Sequence, residues 1–326
     1  MADKEDNHTY SFKKSRFQRI IYKRKTMHTK IPNFFIVGAP KCGTTAMHIY
    51  LRQHPEIFMP EKKESHFFGS DLNSQYFIRD RGKYLSLFSE AKDVKRIGEA
   101  SVWYLYSKQA AYEIKEFSPS ASIIIMLRNP VDMLYALHSQ FLYNGNEDIE
   151  CFGEALNAEE DRKHGLRIPP NVIFVEGLFY RETVKYTEQV RRYLHIFGRE
   201  KVYIIIYDDF KNETAKVYGE TIRFLGVSED FYPEFKVINP NKHVRSHRVR
   251  NFLQNPPVIT KLIGKVLIPY RVRQRLVEKF KSLNIKYMPR SSMKHELREK
   301  LQAEFMPEIE RLSELLGRDL THWSRD

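Results

Sequence analysis

The segment Gly38–Thr45, Gly-Ala-Pro-Lys-Cys-Gly-Thr-Thr, constrains the fold more than any other part of this sequence. It follows the short apolar run Asn33–Val37 and precedes the helix-like segment Ala46–His54. A strand that leads through a glycine-bounded loop into a helix forms a cradle for phosphate, because free main-chain N–H groups converge there and the helix dipole favours an anion. We therefore predict a phosphate-binding loop at one edge of a sheet.

The position of the lysine in this loop distinguishes it from a nucleoside-triphosphate loop. Such a loop has a lysine directly after its second glycine, where the side chain reaches the β- and γ-phosphates. Here the glycine spacing from Gly38 to Gly43 is the same, but Thr44 occupies the lysine position and Lys41 precedes the second glycine. This order predicts a phosphate ligand other than ATP.

Apolar segments alternate with amphipathic segments over most of the chain. The runs within 121–127 and 201–206 are continuously apolar, which is typical of strands in a parallel sheet that is covered on both faces. We therefore predict an α/β fold with a P-loop-like open parallel sheet flanked by helices on both faces, and ligands at the carboxyl ends of its strands. The predicted strands are 32–37, 95–99, 121–127 and 201–206, and the predicted helices are 44–54, 107–117, 131–142, 177–197, 212–225 and 293–316.

Composition narrows the class of protein and its setting. The net charge is +13, from 54 basic and 41 acidic residues, and such a surplus attracts polyanions or anionic ligands. Two cysteines, Cys42 and Cys151, are too few for a disulfide framework, and the sequence contains no zinc-binding spacing. With no apolar run of membrane-spanning length, we expect a cytoplasmic protein with a basic N-terminal tail at 1–30 and a single domain at 31–326.

An arginine follows the second long apolar strand. Arg128 comes directly after 121–127, and Pro130 suits the first turn of a following helix. In a nucleoside triphosphatase this position more often carries an aspartate that organises Mg²⁺. An arginine here predicts that the sheet edge meets an anion.

These two motifs resemble those of sulfotransferases that use 3′-phosphoadenosine-5′-phosphosulfate (PAPS). Pro-Lys-Cys-Gly-Thr-Thr is similar to the family's 5′-phosphosulfate loop, which implies PAPS as the donor, PAP as the product and no metal. The resemblance assigns the 5′-phosphate to the loop residues, the leaving-group charge to Lys41, and the 3′-phosphate to Arg128. The residues assigned to the loop are Lys41, Cys42, Gly43, Thr44 and Thr45.

One family position departs from the pattern. The family has a serine eight positions after the arginine, but this chain has Ala136 there, and Ser139, nearly one turn later, is the candidate substitute.

The segment Met59–Phe68 contains the candidate general base. Its Lys-Glu-Ser-His-Phe-Phe sequence resembles that of glycan sulfotransferases such as the heparan sulfate enzymes, which implies that Glu64 is the base. Related enzymes that sulfate phenols and steroids use a histidine, so His66 and His138 remain alternatives. From the charges alone, Glu-Lys-Lys-Glu is more typical of a solvated surface than of a catalytic site.

Two further segments carry weaker signals. The stretch 239–250 is basic, and the resemblance implies that Lys242 and Arg245 close the donor site. Glu99 orients Lys41, contacts the acceptor or makes a buried polar contact, and Trp103 either stacks on a ligand or packs in the core.

We thus expect a bacterial-type sulfotransferase that transfers a sulfuryl group to a hydroxyl or amine of a glycan, lipid or small metabolite. Two alternatives remain: a kinase-like nucleotide enzyme, and a basic protein that binds polyanions or membrane surfaces on the same fold. We expect no nucleic-acid partner, and contact of the basic tail with a membrane stays open.

Overall fold

The computed structural model describes residues 30–236, 242–244, 285–287 and 292–325, with the main chain alone for the two short segments. A parallel sheet of five strands forms its centre, in the order β2-β3-β1-β4-β5. These strands are β1 Phe34–Gly38, β2 Ile57–Phe58, β3 Arg96–Ala100, β4 Ser122–Leu127 and β5 Val202–Ile206. A separate antiparallel pair consists of β6 Lys242–Val244 and β7 Ile285–Tyr287.

Eleven α-helices of the described residues accompany these strands. They are α1 Thr44–Arg52, α2 Arg81–Ser86, α3 Ala110–Phe117, α4 Pro130–Asn144, α5 Phe152–Asn157, α6 Glu159–Lys163, α7 Tyr180–Thr183, α8 Tyr186–Phe197, α9 Tyr207–Asn212, α10 Thr214–Leu225 and α11 His295–Leu316.

The helices cover both faces of the sheet. The chain leaves β1 in one direction along the sheet through α1 and later crosses β1 in the other direction through α3, so right-handed connections place these helices on opposite faces. Consistently, α1 packs with α10, whereas α8 packs with α3 and α11. Every residue of β1 and β4 is buried, which confirms the predicted α/β fold.

Two predicted helices differ from the structure, and one strand was not predicted. The two-residue strand β2 is too short to give a sequence pattern. The predicted helix 177–197 is interrupted after Thr183, where the Gln189 side-chain amide donates to the carbonyls of Glu182 and Thr183. Such side-chain bonds satisfy carbonyls that lose their helical partners at a break. The predicted helix 212–225 is preceded by the short α9.

None of the described helices combines the length and apolar character that a membrane crossing requires.

A buried ion pair joins α6 to the segment that follows α4. Both side chains of Arg162 and Glu147 are fully buried, and the guanidinium donates two hydrogen bonds, of 2.8 and 2.6 Å, to the carboxylate. The Tyr180 hydroxyl donates a further bond of 2.8 Å to the same carboxylate. Because the pair is enclosed, removal of one partner leaves the other charge buried without compensation.

We predict that Arg162→Met lowers the free energy of unfolding by about 3–5 kcal/mol. Arg167→Met is the matched control, because Arg167 pairs with Asp161 at the surface, and should cost less than about 1 kcal/mol. Urea denaturation of both variants measures the difference. Equal losses would contradict the structural role of the buried pair.

Candidate active site

The carboxyl ends of four neighbouring strands meet around one cavity of about 670 Å³. The loop after β1, the segment after β3, Arg128 after β4 and Tyr207 after β5 all line it. This edge is where open α/β sheets bind ligands.

The phosphate loop after β1 keeps two glycines for different steric reasons. A Cβ atom on Gly38 would lie 2.6 Å from Leu105 Cβ and 2.8 Å from the carbonyl oxygen of Val102, so no larger residue fits. Gly43 has a φ of 89° and immediately precedes α1. No side chain caps this helix in the described structure, and Gly43, Thr44 and Thr45 line the cavity, so the positive end of the helix dipole lies beside it.

The loop residues do not all face the cavity. Lys41, Gly43, Thr44 and Thr45 line it. Cys42 is fully buried, its thiol contacts the Pro40 carbonyl at 3.3 Å, and burial raises its pKa to about 12. The thiol of Cys42 therefore belongs to the core.

Lys41 and Arg128 both reach the cavity, each with its own partner. The Lys41 ammonium donates to Gln140 Oε1 at 3.2 Å, and Gln140 in turn donates to Asn144 Oδ1 at 3.0 Å. The Arg128 guanidinium lies 4.7 Å from the ring centre of Tyr207 and contacts the Lys41 carbonyl at 3.4 Å. Stacking on an aromatic ring holds the guanidinium in place while its N–H donors remain usable.

Ala136 and Ser139 also line the cavity, on α4. The Ser139 hydroxyl donates to the Tyr135 carbonyl at 2.8 Å, so it must rotate before it can donate to a phosphate. Gln140, one turn after Ala136, presents a further polar side chain at this edge. Sequence reasoning missed Gln140 and Tyr207, although the helical spacing from Ala136 and the end of β5 both pointed to them.

Glu64 lies at the same cavity in a dense set of contacts. Its carboxylate contacts the ammonium of Lys63, accepts the Val102 N–H at 2.9 Å, and lies 3.2 Å from His66 Nε2. Burial, the largest single effect, would raise the pKa of Glu64, but the Lys63 ammonium, His66 and the Val102 N–H together outweigh it, and the pKa lies below its ordinary value. The carboxylate is thus ionised at neutral pH and can accept a proton.

His66 and His138 have different surroundings. Burial lowers the pKa of His66 to about 4 against the opposing effect of Glu64, so the ring is neutral at neutral pH and its Nε2–H donates to Glu64. His138 is absent from the cavity lining, and its Nε2 bonds with the Ile149 carbonyl at 2.9 Å. The structure therefore places Glu64 and His66, but not His138, beside the loop.

Strained main chain coincides with these residues. Lys41, Glu64 and His66 have φ angles of 60°, 64° and 47°, a region that costs a residue with a Cβ atom free energy. Such conformations persist where surrounding contacts impose them and are concentrated at functional sites.

One side chain holds a series of carbonyls in the main chain after Glu64. The Arg79 guanidinium donates to the carbonyls of His66, Phe67, Phe68, Gly69 and Leu72. Because carbonyls without partners in a folded interior are unfavourable, Arg79 fixes the course of this segment.

Lys242 and Arg245 cannot be placed in the same way. The main chain of β6, which begins at Lys242, packs beside α4. The Lys242 side chain and all of Arg245 lie outside the described residues, so their assignment stays a prediction.

Trp103 lines the cavity at one edge while most of its ring packs against Phe141 and Phe174.

Glu99 lies in the interior behind the base. It is 2% exposed and accepts hydrogen bonds from Ser65 at 3.0 Å and Ser101 at 2.6 Å. It makes the buried polar contact that was one of its three predicted roles. Burial raises the pKa of Glu99 to about 7, although both serine bonds act in the opposite direction.

Because the pKa of Glu99 is higher in the folded protein than its ordinary value of 4.5, its contribution to stability is present below pH 4.5 and is lost as the pH rises to about 7. Glu99→Gln removes this dependence. We expect wild-type stability relative to the variant to fall by roughly 2–3 kcal/mol between pH 4.5 and pH 8. Urea unfolding across this range measures it, with the exposed Glu90→Gln as control, and parallel curves for wild type and Glu99→Gln would contradict the assignment.

Comparison with known proteins now identifies the family. The family model described as "Sulfotransferase domain" matches residues 32–255. A sulfotransferase structure from Alicyclobacillus acidocaldarius is 32% identical, with a TM-score of 0.68, and the match covers 91% of this chain and all of that one.

Curated relatives are more distant. The membrane-associated sulfotransferase kil1 of Dictyostelium discoideum is 21% identical, and human carbohydrate sulfotransferase 15 is 25% identical. The matches cover 72% and 74% of this chain but only 66% and 52% of those proteins, so the chain spans less than two thirds of the curated relatives' lengths. The matched family model and the Alicyclobacillus structure nevertheless agree with the loop and sheet edge described above, and the chain belongs to the sulfotransferase family.

Proposed function

We propose that this protein transfers the sulfuryl group of PAPS to a hydroxyl or amine acceptor. One observation carries the proposal: Lys41, Glu64 and Arg128 converge on a single cavity beside an uncapped helix N-terminus. The family uses PAPS, and the residues present fit a donor with two anionic ends, because the loop and Arg128 supply separate anion contacts.

Each of these groups has a defined task. The N–H groups at the start of α1 and the hydroxyls of Thr44 and Thr45 would hold the 5′-phosphate, and Arg128 would hold the 3′-phosphate. PAPS is a substrate that is consumed and supplies the sulfuryl group. Lys41 would neutralise the phosphate oxygen that leaves, and fixed charges of this kind are among the largest contributions to catalysis.

The proton and the electron pairs balance in a single displacement. Glu64 takes the proton from the acceptor oxygen or nitrogen, which forms a bond to sulfur. The bond between sulfur and the bridging phosphate oxygen breaks, and its electron pair stays on the phosphate, so PAP and the sulfated acceptor are the products. His66 orients Glu64 through its Nε2–H.

For the acceptor, we propose a chemical class and not an individual compound. Relatives named as carbohydrate and heparan sulfate enzymes, together with the glutamate base, favour a sugar hydroxyl or amine, while lipids and small metabolites remain candidates. Location in the cytoplasm, a single domain at 31–326 and contact of the basic tail with membranes stay predictions. Incubation with labelled PAPS and a panel of acceptors tests the transfer itself.

We predict that Glu64→Gln lowers kcat by about 10²–10⁴, because no carboxylate accepts the acceptor proton. Lys41→Met should lower kcat by about 10²–10³, because charge on the leaving oxygen loses its counter-charge. The exposed Glu61→Gln in the same segment is the control. A wild-type rate for Glu64→Gln would reject this base, and His66 would then be tested.

We predict that Arg128→Met weakens PAP binding about 10- to 100-fold, the effect of one charge-assisted hydrogen-bonding partner. Binding of adenosine 5′-monophosphate, which has no 3′-phosphate, should change much less. Calorimetry of both ligands measures the selectivity, and Arg52→Met, at the exposed end of α1, is the matched control. Equal weakening of both ligands would contradict the 3′-phosphate assignment, while magnesium-dependent ATP binding without PAP binding would reject the proposed function.

A further inference from the structure

Lys63 connects the two halves of the active site. Its ammonium donates to Thr44 Oγ1 at 3.1 Å and also contacts the Glu64 carboxylate. Thr44 is the first residue of α1, and Glu64 is the proposed base. Lys63 is therefore in contact with both the donor loop and the group that activates the acceptor.

The other two cations that line the cavity in the described chain are held elsewhere. Lys41 bonds with Gln140 on α4, and Arg128 stacks on Tyr207. The three cations thus have separate positions, and Lys63 is the one on the side of the base.

Lys63 is more buried than Lys62, its neighbour in the same run of charged residues. The side chain of Lys63 is 13% exposed, and the Thr44 that it contacts is 3% exposed. Lys62, one position earlier, is exposed. A partly desolvated ammonium forms stronger contacts with an anion than a solvated one does.

We infer that Lys63 is a catalytic cation that contacts the transferred sulfuryl group, an inference that rests on the proposed function. In the displacement, sulfur passes from the leaving oxygen beside the loop to the acceptor atom beside Glu64. Lys63 contacts both the donor loop and Glu64, so its ammonium lies alongside the path that the sulfur atom follows. Lys63 therefore neutralises the sulfuryl oxygens and also keeps Glu64 ionised.

The test compares Lys63→Met with Lys62→Met, which removes the same charge one residue away. Calorimetry without acceptor measures binding of PAPS, which carries the sulfuryl group, and of PAP, which does not. We expect Lys63→Met to weaken PAPS binding about 10- to 100-fold and PAP binding less than about threefold, with Lys62→Met equal to wild type.

Two further measurements separate this role from a structural one. The acid limb of the pH profile of kcat/KM should move to higher pH in Lys63→Met, because Glu64 loses the cation that lowers its pKa. Lys63→Arg, which keeps the charge, should retain the preference for PAPS over PAP, and thermal unfolding should show that both variants are folded.

The outcomes distinguish the two proposals. Equal loss of PAP and PAPS affinity in Lys63→Met, or no loss at all, would overturn the role of Lys63 while wild-type binding of PAP still supports the proposed function. Failure of the wild-type protein to bind either ligand would overturn both.

Discussion

The close approach of the segment after β3 to the end of β1 determines the geometry of the whole site. Leu105 donates its N–H to the Val37 carbonyl at 2.8 Å, and this contact requires the missing side chain at Gly38. The same segment offers the Val102 N–H to Glu64. One glycine thus brings the main chain that anchors Glu64 directly against the loop after β1.

The close approach of the segment after β3 to the end of β1 also sets the positions of the charged groups. Three cations and one carboxylate line one cavity, and each cation has a different partner on a different element. Lys63 and the helix dipole act near the loop, while Arg128 acts from the end of β4. Because these groups are fixed by packing before a ligand arrives, little reorganisation is needed when charge moves during the reaction.

Much of this arrangement could be predicted from the sequence. The continuous apolar runs gave β1 and β4 nearly at their observed bounds, and the order of glycine and lysine indicated the donor loop. The parallel-sheet rule correctly placed Arg128 at the same edge as the loop. Such features are local, so they leave a pattern in the sequence.

The other features of the site and fold depend on tertiary contacts, which leave no pattern in the sequence. The sequence does not distinguish Lys63 from Lys62, because both are lysines in the same run of charged residues. In the structure, Lys63 is packed between Thr44 and Glu64, whereas Lys62 faces solvent. Similarly, the inward direction of the Cys42 thiol and the distance of His138 from the cavity follow from which helix face meets the core. The break after Thr183 depends on Gln189, whose capping bonds cannot be recognised from its identity.

The Arg79 contacts have a consequence for how such a site can diversify. Arg79 binds main-chain carbonyls, which every amino acid provides, so its contacts with residues 66–72 do not depend on the side chains at those positions. At the exposed position Ser70, substitutions can therefore occur while the backbone that carries Glu64 keeps its course. A main chain held through its own carbonyls leaves such a solvent-facing position open to change without rebuilding the segment that carries Glu64.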